Sequence, residues 1–292
     1  MSQDHGSSGG NIRRVQFALA LTAAFMVVEV IGGILSGSLA LLADAGHMLT
    51  DTMALALAAV AFRVSLRPAD AKRSYGYHRF QILAAFVNGL SLLVIVGWIL
   101  IEAIRRMMSP PEVMGTTMFV VATAGLVVNI TAFLVLHGGD RDNLNIRGAA
   151  LHVAGDVLGS LAAIIAAVVI IYTAWMPIDP ILSVAVAFLI LRSAWHLVKR
   201  SAHILLEGTP EWLDQRRMQS RIIDRIPAVT GIHHVHVWGL TPQYLMLTMH
   251  VVLRHEPPDS TAIVRRVKGV LREDFGIDHS TIEIETDDCA DH

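Results

Sequence analysis

Two short segments of this sequence carry an imidazole and a carboxylate at the same spacing. His47 and Asp51 lie in Asp44-Ala45-Gly46-His47-Met48-Leu49-Thr50-Asp51, and His152 and Asp156 lie in Leu151-His152-Val153-Ala154-Gly155-Asp156. Residues four apart share one face of a helix, so each segment, as a helix, presents one nitrogen and one oxygen donor together. Two such helices facing each other supply two nitrogens and two oxygens. That set suits tetrahedral Zn2+ and is too rich in nitrogen for Mg2+ or Ca2+. The same donors accept Cd2+ and Co2+, so the donor set does not choose among the three. Asp44 stands one turn before His47. It is within reach as a further ligand, and the preferred reading is a supporting one, holding His47 or the helix in place. Interhelical hydrogen bonds or a structural metal site are the plainer alternative; the repetition of the pattern in matched form argues against them.

Both segments sit in apolar sequence. The 292 residues are 53% hydrophobic and 16% charged, where a soluble domain carries about 25% charge. Apolar residues gather in six blocks, roughly Val15–Leu35, Leu39–Ala61, Phe80–Ile101, Met114–Leu136, Ala149–Thr173 and Pro180–Leu197. Each approaches the roughly 20 residues a membrane-spanning helix needs. The expectation is an all-α membrane domain of six helices over residues 13–200, behind a disordered Gly/Ser-rich tail at 1–12. The first block is too long for a signal peptide. A charge at mid-bilayer costs roughly 2.5–3.5 kcal/mol, so the carboxylates of the second and fifth blocks are a liability that a bound dication removes.

Charge sets the orientation. Arg13, Arg14, Arg63, Arg67, Lys72, Arg73, Arg79, Arg141, Arg147, Lys199 and Arg200 fall on one side, and the opposite loops offer little beyond Arg105 and Arg106. An even number of spans places both termini together, in the cytoplasm by the positive-inside rule. A net charge of -2 gives no basic field for nucleic acid. A single cysteine, Cys289, excludes a disulfide framework and a zinc cluster built from cysteines.

Residues 201–292 are mixed polar and apolar, as in a soluble domain. Helical spacing over Glu211–Ile226, strands at Ile232–Leu240 and Leu245–Leu253, a helix over Ser260–Phe275 capped by Asp259 or Ser260, and a strand at Thr281–Glu285 give the order αββαβ. That order predicts a small α+β, ferredoxin-like or metallochaperone-like domain, one sheet covered by two helices. Strict alternation puts His234, His236 and Trp238 on one face of the first strand and His233, Val235 and Val237 on the other. Met246, Thr248 and His250 share a face of the second, and Glu283 and Glu285 point away from Ile282 and Ile284.

The run Leu41-Leu42-Ala43-Asp44-Ala45-Gly46-His47-Met48-Leu49-Thr50-Asp51, together with Leu151-His152-Val153-Ala154-Gly155-Asp156, resembles the cation diffusion facilitators, and most closely their bacterial zinc-exporting branch. The resemblance covers nearly the whole chain. It implies that His47, Asp51, His152 and Asp156 form a transport site for Zn2+ and that the protein is a homodimer in the bacterial inner membrane. It also implies alternating access, with protons exchanged for metal across the lipid bilayer. The segment Tyr75-Gly76-Tyr77-His78-Arg79-Phe80-Gln81 is a second landmark. Some relatives bind an extra metal there through a histidine just after the glycine and an aspartate in the preceding loop. This chain has Tyr77 at that histidine position, leaving His78 as the loop candidate, with a solvated histidine as the alternative. Arg79 matches a basic position that pairs with an acid after the sixth helix, here Glu207. The resemblance further implies a regulatory cytoplasmic site at His236, His250, Glu283 and Glu285, with contributions across the dimer; His255, Asp278 and His279 are additional candidates.

Other readings of the same residues are an intramembrane metalloenzyme, a metal-gated channel and a metal sensor. An enzyme needs a general base beside an open coordination position, but no H-E-x-x-H helix occurs and four protein ligands leave no place for a catalytic water. A channel calls for rings of charge along a pore, whereas the ionisable residues cluster at one depth. Gly32, Gly33, Gly155 and Gly159 are small residues expected to let helices pack closely, with Gly155 bringing the second and fifth helices together; Asn129 and Thr131 are read as bridges between helices rather than as bonds to the site, and Asn88 as an interhelical bridge.

Overall fold

A lipid-embedded segment must satisfy its own backbone, and in the computed structural model each apolar block is a helix. These are α1 (His5–Ser36), α2 (Leu39–Ser65), α3 (Arg79–Met108), α4 (Gly115–His137), α5 (Leu144–Thr173) and α6 (Ile178–Leu205). The structure describes residues 5–137, 144–255, 259–286 and 289; of 5–15, 51, 54–55, 58–59, 62, 136–137, 144–152 and 154 only the helical backbone is described. Among the described residues, five stretches are long and apolar enough to cross a membrane: Gln16–Ser36, Arg79–Met108, Gly115–Val135, Gly155–Thr173 and Ile178–Leu205. In α2 the described apolar stretch is Leu39–Thr50, within a helix of 27 residues. Helix α1 begins at His5, inside the stretch expected to be a tail, because a nucleated helix extends at little cost. The loop between the fourth and fifth spans lies outside the described residues.

The chain divides into two units. The first comprises Met1–Leu57 and Val87–His196. Its helices meet through small side chains: Ala40, Ala163, Ala166 and Ala167 pack with Leu41, Met118 and Ile170. A second group joins Ala43 to Leu92, Val96, Ile99, Ala187, Ile190 and Ala194. At Gly32 a Cβ would lie 2.6 Å from Val121 Cγ2, so only glycine lets α1 sit this close to α4.

One carboxylate fixes the start of α2. Asp179, in the first turn of α6 and 0% exposed, accepts hydrogen bonds from Ser38 Oγ at 2.6 Å, Leu39 N at 2.7 Å and Ala40 N at 3.2 Å. It thus satisfies the orphan amides of a different helix and meets the positive end of that helix's dipole. Arg106 Nη1 lies 3.8 Å from Asp179 and donates to the Gly37 carbonyl, while its Nε bonds Glu102 at 3.1 Å.

The second unit comprises Ala58–Phe86 and Leu197–His292. It contains α7 (Gln215–Arg225), β1 (Val229–Gly239), β2 (Leu245–Leu253), α8 (Ser260–Phe275) and β3 (His279–Glu285). Asp214 accepts from Arg216 N and Arg217 N, so α7 starts after it rather than at Glu211. Asp259 caps α8, and Gly276, at φ 63°, ends it in a left-handed turn. The sheet order is β1-β2-β3, with β1 and β2 antiparallel and β2 and β3 parallel. Met218, Ile222 and Ile226 from α7 and Ile263, Val267 and Leu271 from α8 cover one face through Val237, Leu247, Met249 and Val251. Arg221 Nε ties α7 to α8 through Asp274 at 2.7 Å. Its hydrogen bond holds the Asp274 carboxyl below the usual range.

The α2–α3 loop belongs to this second unit. Asp70 accepts from Tyr77 Oη and from Lys72 N and Arg73 N, each at 2.8 Å. The Tyr77 bond is the largest of the interactions that hold the Asp70 carboxyl low. His78 stacks on Tyr244, with centroids 5.2 Å apart and planes 13° from parallel. Arg79 Nη2 and Glu207 Oε1 are 2.9 Å apart.

Asp179→Ala removes the three bonds that cap α2. It is expected to lower the melting temperature of the detergent-purified protein, the cap alone contributing about 0.5–2 kcal/mol. Asp179→Asn retains part of that stability, and thermal unfolding of both variants measures it. For Arg79 and Glu207, partly exposed at 35% and 62%, a double-mutant cycle on thermal stability is expected to yield a coupling of at most about 1 kcal/mol.

Candidate metal centres

The first candidate centre lies in the helical unit. On α2, Asp44 is 4% exposed, and on α5, Asp156 is 4% exposed. His47, one turn after Asp44, is half-buried. The side chains of Asp51 and His152 lie outside the described residues; their backbones continue α2 and α5 at the expected spacing. The two helices approach at Gly159, where a Cβ would stand 3.0 Å from Asp44 Oδ1. Among the described residues, nothing lies within 4 Å of the Cβ position of Gly155, which was expected to serve this purpose. The close contact falls one turn further along α5 because that is where the Asp44 carboxylate reaches it. Beside it, Asn129 Nδ2 of α4 donates to Ser160 Oγ of α5 at 3.1 Å, bridging two helices. Thr131 instead bonds the Val127 carbonyl within its own helix at 2.7 Å.

A third carboxylate joins this pair. Glu29 of α1 is 1% exposed and lies within electrostatic reach of both Asp44 and Asp156. Its Oε1 is 3.0 Å from the Cβ position of Gly125 on α4, so that glycine makes room for it. Sequence reasoning passed over Glu29. The signal was present: a lone acid in the middle of an apolar block is a functional candidate by its cost alone.

The second candidate centre lies on the open face of the sheet. Register places His233 opposite His250 and His236 opposite Thr248, so three residue steps on β1 match two on β2. The extra residue is a bulge, and His234 within it has φ 46°. Strict alternation therefore fails here: His233 shares a face with His250 rather than facing the helices. His234 rejoins the same side, with ring centroids 5.1 Å from His233 and 4.9 Å from His250. The C-terminal segment brings Cys289 Sγ to 3.6 Å from His250 Nδ1 and 3.9 Å from His234 Nδ1. Among the described residues, His233, His234, His250 and Cys289 are grouped with one ligand atom from each within 4.8 Å of the others.

Glu285, 8% exposed, meets His250 Nδ1 at 2.7 Å and His233 Nε2 at 3.0 Å. Burial pushes its carboxyl up, but the bonds to His250 and Cys289 and the nearby imidazoles outweigh that and hold it below its ordinary value. Glu283 is more exposed, its Oε2 3.6 Å from His250 Nε2. His236 is exposed and outside the group. Asp278 pairs with Arg272 at 2.9 Å, His279 lies edge-on to Tyr75, and His255 is exposed. His78 stands in no ligand group among the described residues. Tyr77, at the position where relatives place a histidine, instead occupies Asp70. The adjacent histidines 233 and 234 and the cysteine beyond β3 were visible in the sequence; what hid them was the bulge.

Comparison with known proteins follows this geometry. The cation efflux transmembrane domain model matches residues 15–206, and the model for the cytoplasmic domain of cation efflux proteins matches 214–287. Zinc transporter ZitB of Pectobacterium atrosepticum is 50% identical over 293 residues, covering 100% of this chain and 91% of that protein. The Escherichia coli protein of the same name is 48% identical, covering 99% and 92%. The cadmium, cobalt and zinc/H(+)-K(+) antiporter of Bacillus velezensis is 42% identical, covering 98% and 92%. A metal-bound C-terminal domain of the CzcD transporter has 30% identity and a TM-score of 0.23, covering 25% of this chain and 99% of that domain. With one family model spanning most of its length and full-length relatives near half identity, this chain is a multi-span membrane protein belonging to the cation efflux, or cation diffusion facilitator, family.

Proposed function

We propose that this protein exports zinc from the cytoplasm by alternating access coupled to protons, its cargo held by His47, Asp51, His152 and Asp156. The observation that carries this reading is the burial of Asp44, Asp156 and Glu29 together among apolar helices. Carboxylates so placed are costly, and a cation or protons at the site offset that cost. Metal ligands must be deprotonated, so cation and protons compete for one site. Imidazoles titrate near neutrality, which lets that competition run in the physiological range. Binding from the cytoplasm is then followed by release outside, where protons claim the ligands. Asp44, beside the cargo, supports the site rather than binding in it. The names of the relatives, zinc transporters and a cadmium, cobalt and zinc antiporter, support both the cation class and exchange against a counter-ion.

We further infer that residues 13–200 form the transport domain and 201–292 the cytoplasmic domain. Both termini face the cytoplasm of a bacterial inner membrane, and the working unit is a homodimer. The excess of Arg and Lys on the terminal side supports this orientation.

In proteoliposomes with an imposed pH gradient, His47→Ala and Asp156→Ala are expected to reduce zinc uptake to that of empty vesicles; normal uptake by either variant would sink the assignment. Asp44→Asn keeps the shape and removes the charge, and is expected to weaken zinc binding by about 10–100-fold while uptake still follows the gradient. Gly159→Ala places a methyl 3.0 Å from Asp44 Oδ1, so zinc affinity should fall without loss of folding, as calorimetric titration and thermal unfolding would report.

A further inference from the structure

We propose that the outer face of α6, carrying Arg192, Trp195, His196 and Lys199 with Arg200 at its edge, holds the phosphate headgroup of an anionic phospholipid such as phosphatidylglycerol. The proposal needs only that α6 crosses a membrane, and it does not rest on the transport reading.

Burial along α6 defines this face. Ser183, Ala187, Ile190, Ala194 and Ser201 recur at helical spacing and are buried. Three of them, Ala187, Ile190 and Ala194, pack against Ala43 of α2 and Leu92, Val96 and Ile99 of α3. On the opposite side, at equally regular spacing, stand exposed residues: Ile181, Phe188 and Leu189, then Arg192, Trp195, His196 and Lys199. Because α6 is one continuous helix from Ile178 to Leu205, the face runs unbroken along it. Its first half is apolar and its second half basic.

The change falls where a bilayer ends. Exposed indoles bracket the span, Trp175 just before α6 at 48% and Trp195 within it at 61%. At a rise of about 1.5 Å per residue, Trp195 is about 26 Å from the start of the helix. That is close to the roughly 30 Å of bilayer hydrocarbon, at whose boundaries tryptophans collect. Arg192, almost one turn short of Trp195, therefore lies at or just inside the boundary and faces lipid.

Its charge is uncompensated by protein. Among the described residues, none of Arg192, Lys199 and Arg200 has an ion-pair or side-chain hydrogen-bond partner, whereas Arg79 and Arg106 each meet a carboxylate. A guanidinium facing lipid at this depth is costly without a counter-charge. A lipid phosphate supplies one: the planar fork of Arg192 meets two of its oxygens together, and Lys199 adds a second charge from the headgroup side. A zwitterionic headgroup carries its own cation and offers this face no net charge. A second copy of the chain docked through the same face would set the same cations against each other, so the occupant is lipid.

Native mass spectrometry of the detergent-purified chain, titrated with dioleoylphosphatidylglycerol or dioleoylphosphatidylcholine, reads the affinity for each. Phosphatidylglycerol is expected to bind the more tightly. Arg192→Gln/Lys199→Gln should weaken it by about 10–30-fold and leave phosphatidylcholine binding unchanged. Arg192→Lys keeps the charge but loses the fork, so affinity falls severalfold while thermal unfolding in lipid-free detergent stays as in wild type. Arg265→Gln/Lys268→Gln removes two exposed charges from α8 instead, and should bind like wild type. Inorganic phosphate at the same concentration should not compete, since it lacks the acyl chains. Equal affinity for the two lipids, competition by phosphate, or an equal loss in the α8 variant overturns the proposal. Undiminished phosphatidylglycerol binding by Arg192→Gln/Lys199→Gln overturns it too, and if that variant also loses its paired state the face belongs to contact between copies.

Discussion

The helical unit is organised around the cost of holding negative charge away from water. Glu29, Asp44 and Asp156 come from three helices and are each nearly or wholly excluded from solvent. Like charges so placed repel one another, and the low dielectric around them magnifies the repulsion. Protonation of these carboxylates or a bound cation relieves that repulsion. Other features of the unit follow from having to place them: glycines where a carboxylate oxygen meets a neighbouring helix, alanine-rich contacts, and a buried amide–hydroxyl bridge from Asn129 to Ser160.

Asp179 shows what a carboxylate looks like when its purpose is architectural. It is equally buried, yet three donors from the start of α2 converge on it and a guanidinium stands close by. No exchangeable cation is needed, since the amide ends of the helix and Arg106 provide the compensating charge. Burial alone therefore does not mark a functional acid; what surrounds it does.

Much of this was legible in the sequence. Length and apolarity gave the spans, because the bilayer permits few alternatives. The repeated spacing of four between His and Asp singled out the candidate pairs before any fold was known. The element order αββαβ and the cap at Asp259 were similarly readable, since Asp259 acts on an amide three residues away, whereas the helix expected from Glu211 starts only after Asp214. What escaped was set by contacts distant in sequence. Glu29 gains meaning only from the two acids that α2 and α5 bring beside it. His233 was assigned to the wrong face because alternation assumes an unbroken ladder, and one inserted residue reverses the phase for everything before it. In the α2–α3 loop, Tyr77 stands where some relatives place a histidine, and its hydroxyl donates to Asp70.

The anchoring of α2 by Asp179 has a mechanical side. A helix pinned at one end moves as a lever, and displacement grows with distance from the pivot. At a rise of about 1.5 Å per residue, Asp44 sits about 8 Å from the pinned end at Leu39, and Asp51 about 18 Å from it. A tilt of α2 about that pivot would carry Asp51 more than twice as far as Asp44. The proposed ligand position at Asp51 would then swing the further of the two, while Asp44 stays nearer its seat against Gly159.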